Sequence, residues 1–114
     1  MMQDWNDYRG ALQKRVAEYA ELNPEAFKGV RMVSGSVVKQ GHLDAKTHEL
    51  IALAVAVTTR CDGCIAVHAK MAVEAGATRE EIAEALTTAI AMNTGAALTY
   101  TARVMDAVDS LPTA

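Results

Sequence analysis

Helix-start signals recur along this chain and divide it into segments that only a helical fold accommodates. Asp4 stands ahead of a stripe made by Trp5, Tyr8, Leu12, Val16 and Tyr19, apolar residues at the three- and four-residue spacing of one helix face. Asn23-Pro24 is a stop followed by a start, with Asn as N-cap and Pro at the first helical position. The helix it opens carries Phe27, Val30 and Val33, is weakened by Gly35 and ends near Gly41. Asp44 caps a third helix through Glu49 and the apolar block Ile51 to Val57. That block is short enough for a buried strand, but its alanines and the helix-forming residues before it favour helix. Thr58-Thr59-Arg60 is a poor helical stretch and marks a break. The fourth helix runs to Gly76, a C′ residue. Thr78-Arg79-Glu80-Glu81 is a capping box, Thr hydroxyl and Glu carboxylate each satisfying an orphan amide. It opens a fifth helix through Ile82, Leu86 and Ile90. Asn93-Thr94-Gly95 is expected to interrupt it, leaving Leu98, Val104 and Val108 to a sixth helix before a frayed tail at Pro112. The expectation is an all-α domain of about six helices over residues 1–114, without linker or repeat.

The bulk composition narrows the function. Half the residues are apolar, yet only 4% are aromatic and alanine dominates. Small side chains release less burial energy each than Leu or Phe. Burial between subunits would compensate, so a homo-oligomer is expected. A net charge of −3 with no basic run argues against a nucleic-acid surface. The first residues lack the basic and apolar stretches of a signal peptide, and the longest apolar run is far too short to cross a bilayer. A cytoplasmic setting, away from membranes, is the default expectation. There a C-x-x-C pair is more often catalytic or metal-binding than a static staple.

The only two cysteines form such a pair, Cys61-Asp62-Gly63-Cys64, with His68 four residues on. Positions i, i+3 and i+7 share one helix face. If the chain turns back near Thr59, Glu49 lies about 15 Å down one helix from the turn and His68 about 12 Å down the other, at ~1.5 Å per residue. The spacing therefore permits a ladder of Glu49, His68, Cys64 and Cys61. A free thiol is mostly protonated at neutral pH, and its thiolate is the nucleophile. Amide dipoles at a helix N-terminus favour the anion on Cys61; an imidazole accepts a thiol proton, and a carboxylate behind it orients the ring. Gly63 is expected to leave Cys64 uncrowded. His48 points about 100° away from Glu49 and reads as surface or subunit contact; His42 belongs to a loop. Met71, Met92 and Met105 read as core fillers. Two Cys, one His and one Glu could also form a zinc shell, but structural zinc ligands usually come from two knuckles rather than one regular helix. The weaker reading is therefore a metal-binding or redox-sensing module without turnover.

Lys46-Thr47-His48-Glu49-Leu50, Arg60-Cys61-Asp62-Gly63-Cys64-Ile65, His68 and the segment Gly76 to Ile82 together resemble the alkyl hydroperoxidase D-like branch of the carboxymuconolactone decarboxylase family. The resemblance spans roughly residues 20 to 108. It implies an all-α fold assembling as trimers or hexamers, and a peroxidase or disulfide-reductase activity of antioxidant type with no cofactor beyond the redox-active cysteine pair. It implies that Cys64 attacks a hydroperoxide or small disulfide, that Cys61 resolves the product and acts as proton donor, and that Glu49 and His68 relay the activating proton. Electrons would return from a lipoyl- or thioredoxin-like dithiol protein. Helix-end electrostatics favours Cys61 as the more reactive thiol; the relay favours Cys64, which is followed for the peroxide step. Gly63 departs from the histidine that alkyl hydroperoxidase D proteins carry there, and those proteins are longer, with a second related half. The decarboxylase branch shares the fold but generally lacks the cysteine pair, so lactone decarboxylation is the lesser expectation.

Overall fold

The computed structural model describes residues 1–113 and contains five α-helices and one 3-10 turn among them: α1 (Trp5–Leu22), α2 (Pro24–Ser36), the 3-10 turn Val37–Lys39, α3 (Ala45–Thr59), α4 (Asp62–Glu74) and α5 (Arg79–Asp109). The starts fall where side chains can accept the orphan amides. Asp4 accepts from the Asp7 N–H at 2.9 Å, Asn23 from Ala26 at 3.2 Å and Asp44 from Thr47 at 2.7 Å. Both halves of the Thr78/Glu81 capping box are made. Gly76 follows the α4 C-cap with φ +90°, a conformation that a Cβ would strain.

The expected sixth helix does not exist: α5 runs unbroken through Asn93-Thr94-Gly95 for 31 residues. The polar side chains that should have broken it are satisfied without leaving the helix. Asn93 Nδ2 donates to the Ala89 carbonyl at 2.7 Å and to Thr58 Oγ1 of α3 at 2.9 Å. The Thr94 hydroxyl donates to the Ile90 carbonyl. Gly95 alone costs about 1 kcal/mol relative to Ala, too little to end a helix whose neighbouring polar side chains are satisfied within it.

Three helices build the body. Lys46 of α3 pairs with Glu81 of α5 at 2.7 Å, and Thr58 meets Asn93; the sequence offset is the same at both ends, so α3 and α5 run parallel. Between α3 and α4 the chain reverses at Arg60, whose φ of 54° and ψ of 50° are left-handed. It is the one non-glycine residue with positive φ among those described, a conformation costing roughly 1–2 kcal/mol. The reversal lays α4 antiparallel on α3. α1 packs antiparallel on the other side of α4, with the Arg9 guanidinium donating to the Ala66 carbonyl at 2.8 Å. α2 packs substantially only against α1 and the 3-10 turn that follows it.

The core is very small. Leu53, Ala56, Ala66, Ala72 and Ala89 are its buried apolar residues. Met71, Met92 and Met105, expected as core fillers, are exposed at 41%, 68% and 62%. The radius of gyration is 18.8 Å, whereas a compact domain near this length has about 13 Å. The methionines lie where the open packing of the helices leaves them uncovered.

Candidate active site at the helical hairpin

Cys61 is the N-cap of α4. Its extended backbone (φ −102°, ψ 100°) lets its sulfur accept the Cys64 N–H at 3.2 Å, in the position a Ser or Asp side chain usually takes. Both cysteines are free thiols and half-buried. One turn further along, His68 Nδ1 lies 2.7 Å from Glu49 Oε2 on α3. The hairpin thus brings together Glu49 and His68 across 19 residues of sequence, with Cys64 and Cys61 on successive turns of the same helix. Glu49 is the one buried charged residue among those described, at 9% exposure. A buried carboxylate needs a partner, and the imidazole supplies it. With the carboxylate ionised, Nδ1 carries the hydrogen and donates, which leaves Nε2 as the base.

The two thiols are electrostatically unequal. The Cys64 S–H donates to Cys61, and this holds the Cys61 thiol below the ordinary range. The Cys64 and Gly63 amides help, while burial and the Asp62 charge oppose. Cys64 is pushed up, first by donating to Cys61, then by burial and by the charge on Cys61. Of the two sulfurs, Cys61 is therefore the one on which the anion is favoured, as the helix end favours, and Cys64 the one that holds its proton more tightly. A lowered value means that the Cys61 thiolate persists as pH falls below the ordinary thiol range and disappears only on passing through its own depressed pKa. Iodoacetamide near neutral pH should modify Cys61 first, with an alkylation midpoint below that of free cysteine, and Cys64 only at higher pH. Peptide mass mapping across a pH series checks this; faster labelling of Cys64 would contradict it.

Gly63 has a different role from the expected one. A Cβ there would stand 2.9 Å from Cδ2 of Leu12, so the space is filled from α1 rather than left open beside the thiol. A histidine at this position would require Leu12 to move. The sequence shows Leu12 on an apolar stripe, but nothing in the spacing says that the stripe lies over the motif. His42 lies in the exposed segment before α3. His48, read as surface or subunit contact, is half-buried and lines a cleft of about 700 Å³ with Glu49, His68 and Arg31. Among the described residues no three His, Cys, Asp or Glu side chains are grouped to hold a metal ion, and no helix is long and apolar enough to cross a membrane.

Residues 24–107 match the carboxymuconolactone decarboxylase family. The chain belongs to that family. Within this fold, an uncharacterized protein of Haemophilus influenzae is 46% identical over 107 residues, which span 94% of this chain and 95% of its own length. Uncharacterized protein 4 in the cox locus of Paracoccus denitrificans is 40% identical over 79 residues, 69% of this chain and 71% of that protein. The crystal structure of an apo carboxymuconolactone decarboxylase family protein from Legionella pneumophila superimposes with a TM-score of 0.73 at 35% identity, covering 92% of this chain and 94% of that one. The family match begins at Pro24, so α1 and the Leu12 and Arg9 contacts to α4 lie outside it.

Proposed function

We propose that this carboxymuconolactone decarboxylase family member is a thiol peroxidase or disulfide reductase of the alkyl hydroperoxidase D type, cycling Cys61 and Cys64 between dithiol and disulfide. The observation that carries the reading is the Glu49–His68 hydrogen bond of 2.7 Å, one helical turn from a hydrogen-bonded thiol pair. A surface dithiol has no need of a buried carboxylate, whereas a nucleophile that must lose a proton on demand does.

The residues divide the work as follows. His68, held by Glu49, takes the proton from Cys64 at Nε2. The Cys64 thiolate attacks the terminal oxygen of a hydroperoxide; an S–O bond forms, the O–O bond breaks, and the departing alkoxide takes the proton back as alcohol. Cys64 is then a sulfenic acid. The Cys61 thiolate attacks that sulfur, forming the disulfide and expelling hydroxide, which is protonated to water. Sulfur has lost two electrons and the peroxide has gained them. A dithiol protein of lipoyl or thioredoxin type returns the pair by exchange at the disulfide. The low Cys61 pKa suits it to the resolving step and makes it a good leaving group in the reductive one.

The test follows the sulfur rather than any one substrate. Intact mass after one equivalent of an organic hydroperoxide should fall by two hydrogens and return on adding a dithiol. Differential alkylation should place the change on Cys61 and Cys64. A mass that does not respond to peroxide or disulfide oxidants removes the reading. Lactone decarboxylation that survives full alkylation of both thiols would put the other branch of the family in its place.

A further inference from the structure

The thiol chemistry uses one flank of α4, and α3 supplies its carboxylate. The other flank is gripped by α1, through contacts that the chemistry leaves unexplained. Arg9 Nε donates to the Ala66 carbonyl at 2.8 Å. The same guanidinium donates to Asn6 Oδ1 at 2.9 Å, which fixes its direction. One turn further along α1, Leu12 rests on Gly63, where a Cβ would stand 2.9 Å from Leu12 Cδ2. Leu12 follows Arg9 by three residues and Gly63 precedes Ala66 by three, so the contacts are successive rungs of one antiparallel pair. Around α4, Gly63 lies about 100° from Cys64 and about 140° from His68. α1 therefore backs the helix whose other side carries the relay.

The turn under Leu12 is the weakest of α4 by its own chemistry. Its N-cap is Cys61, and sulfur accepts an amide hydrogen more weakly than the oxygens that usually cap helices. Gly63 stands inside it, the poorest helix former after proline. Arg60, just before it, is left-handed. α4 is 13 residues long, a length marginal for an isolated helix. Yet the spacing of the thiols depends on this turn, because the Cys64 N–H reaches Cys61 Sγ at 3.2 Å only while residues 61–64 keep it.

The placement of α1 matches that need. Among the described residues, α1 packs substantially on α4 and α2 alone, and α2 on α1 and the 3-10 turn. α1 has no fully buried residue of its own. The hold of this N-terminal arm on the three-helix body is thus concentrated on the helix that bears the thiols.

We infer that α1 is a positioning element for the thiol pair: Leu12 on Gly63 and Arg9 on the Ala66 carbonyl hold the first turn of α4 closed, keeping the two sulfurs within reach of each other. The inference rests on the dithiol–disulfide reading for what the turn serves. Leu12 and Arg9 touch no reacting atom and act through the backbone of α4. Glycine at 63 and leucine at 12 are then a matched pair, each excluding a larger neighbour.

The experiment reads the turn with two reagents that need no turnover. The first is the pH midpoint of Cys61 alkylation by iodoacetamide. The second is an aromatic disulfide in slight excess. One cysteine attacks it, forming a mixed disulfide and releasing one aryl thiolate. The other cysteine then attacks the protein sulfur of that mixed disulfide, closing the Cys61–Cys64 bond and releasing the second. The rate of the second release measures how well the turn holds the sulfurs together. Leu12→Ala should raise the midpoint toward that of free cysteine and slow the second release at least about tenfold, as misplaced reacting groups do. Arg9→Met keeps the apolar stem without the donor and should move both readouts the same way. Leu12→Met should restore both to near wild type. Gly63→Ala should resemble Leu12→Ala, since its methyl drives Leu12 away. Combined with Leu12→Ala it should recover, because the methyl fits the vacated space. Ala89→Gly, which weakens the fold in α5, should move neither readout while the chain is folded.

Unchanged readouts in folded Leu12→Ala and Arg9→Met would overturn the inference. So would a double variant no better than either single one, or equal shifts in Ala89→Gly. If Leu12→Ala does not fold, Arg9→Met and Gly63→Ala decide by the same readouts. If the readouts move as expected but wild-type thiols never respond to a hydroperoxide, the positioning role stands and the peroxidase reading fails.

Discussion

Cys64→Ser should reduce hydroperoxide consumption by at least about 10³-fold, the scale on which removal of an enzyme's nucleophile is felt. The alcohol that replaces the thiol is a far weaker acid, and one neighbouring imidazole does not ionise it enough to attack an O–O bond. Cys61→Ser should behave differently. Its Cys64 can still make the first attack, so a single turnover survives and a sulfenic acid accumulates where a dimedone-type reagent can trap it. The pair of variants decides which thiol acts first. Turnover that persists in Cys64→Ser, or a sulfenic acid trapped on Cys61 in preference to Cys64, would transfer the attack to the thiol at the helix end. The anion is favoured there, because the Cys64 thiol and amide both donate to Cys61. The proposal that Cys64 reacts first depends on a proton leaving it for His68.

Glu49→Gln should lower kcat by about 10²-fold or more, within the range that positioned acid–base groups contribute, with KM little changed. The amide keeps the shape and can still accept from Nδ1, but it removes the negative charge that stabilises a protonated ring. Glu49 is a positioning residue in this scheme, since it meets His68 and not the reacting sulfur. His68→Asn should be impaired at least as much, and the double variant little more than His68→Asn alone, because the two act as one unit. Independent, multiplying losses would mean that the carboxylate serves the fold rather than the relay. A stability measurement separates these: His68→Ala leaves a buried carboxylate unpaired and should destabilise the protein by about 1–3 kcal/mol, whereas Glu49→Gln should do so much less.

Local chemistry was legible in the sequence wherever a single turn of chain decides the outcome. Asp4, Asn23, Asp44 and Thr78 cap the helices they were expected to cap, since a cap needs only its own next three residues. The reversal before Cys61 was legible for the same reason. It then carried a long-range consequence, because once two helices are antiparallel and the rise per residue is fixed, Glu49 and His68 must meet. The sequence misled where a distant partner outweighs a local preference. Asn93, Thr94 and Gly95 have poor helix propensity, yet Asn93 is held by Thr58 from a neighbouring helix. Gly63 appeared as room for a thiol until Leu12 was found occupying it.

By itself, then, the sequence determined where the helices start and the hairpin that brings Glu49 to His68, both of which follow from backbone geometry repeated every few residues. Only the tertiary structure decided that α5 continues to Asp109, that α1 lies over the cysteine motif, and that the methionines stay uncovered. These depend on which surfaces lie opposite one another after the chain has turned, and the pattern of residues within one helix carries no record of what stands across from it.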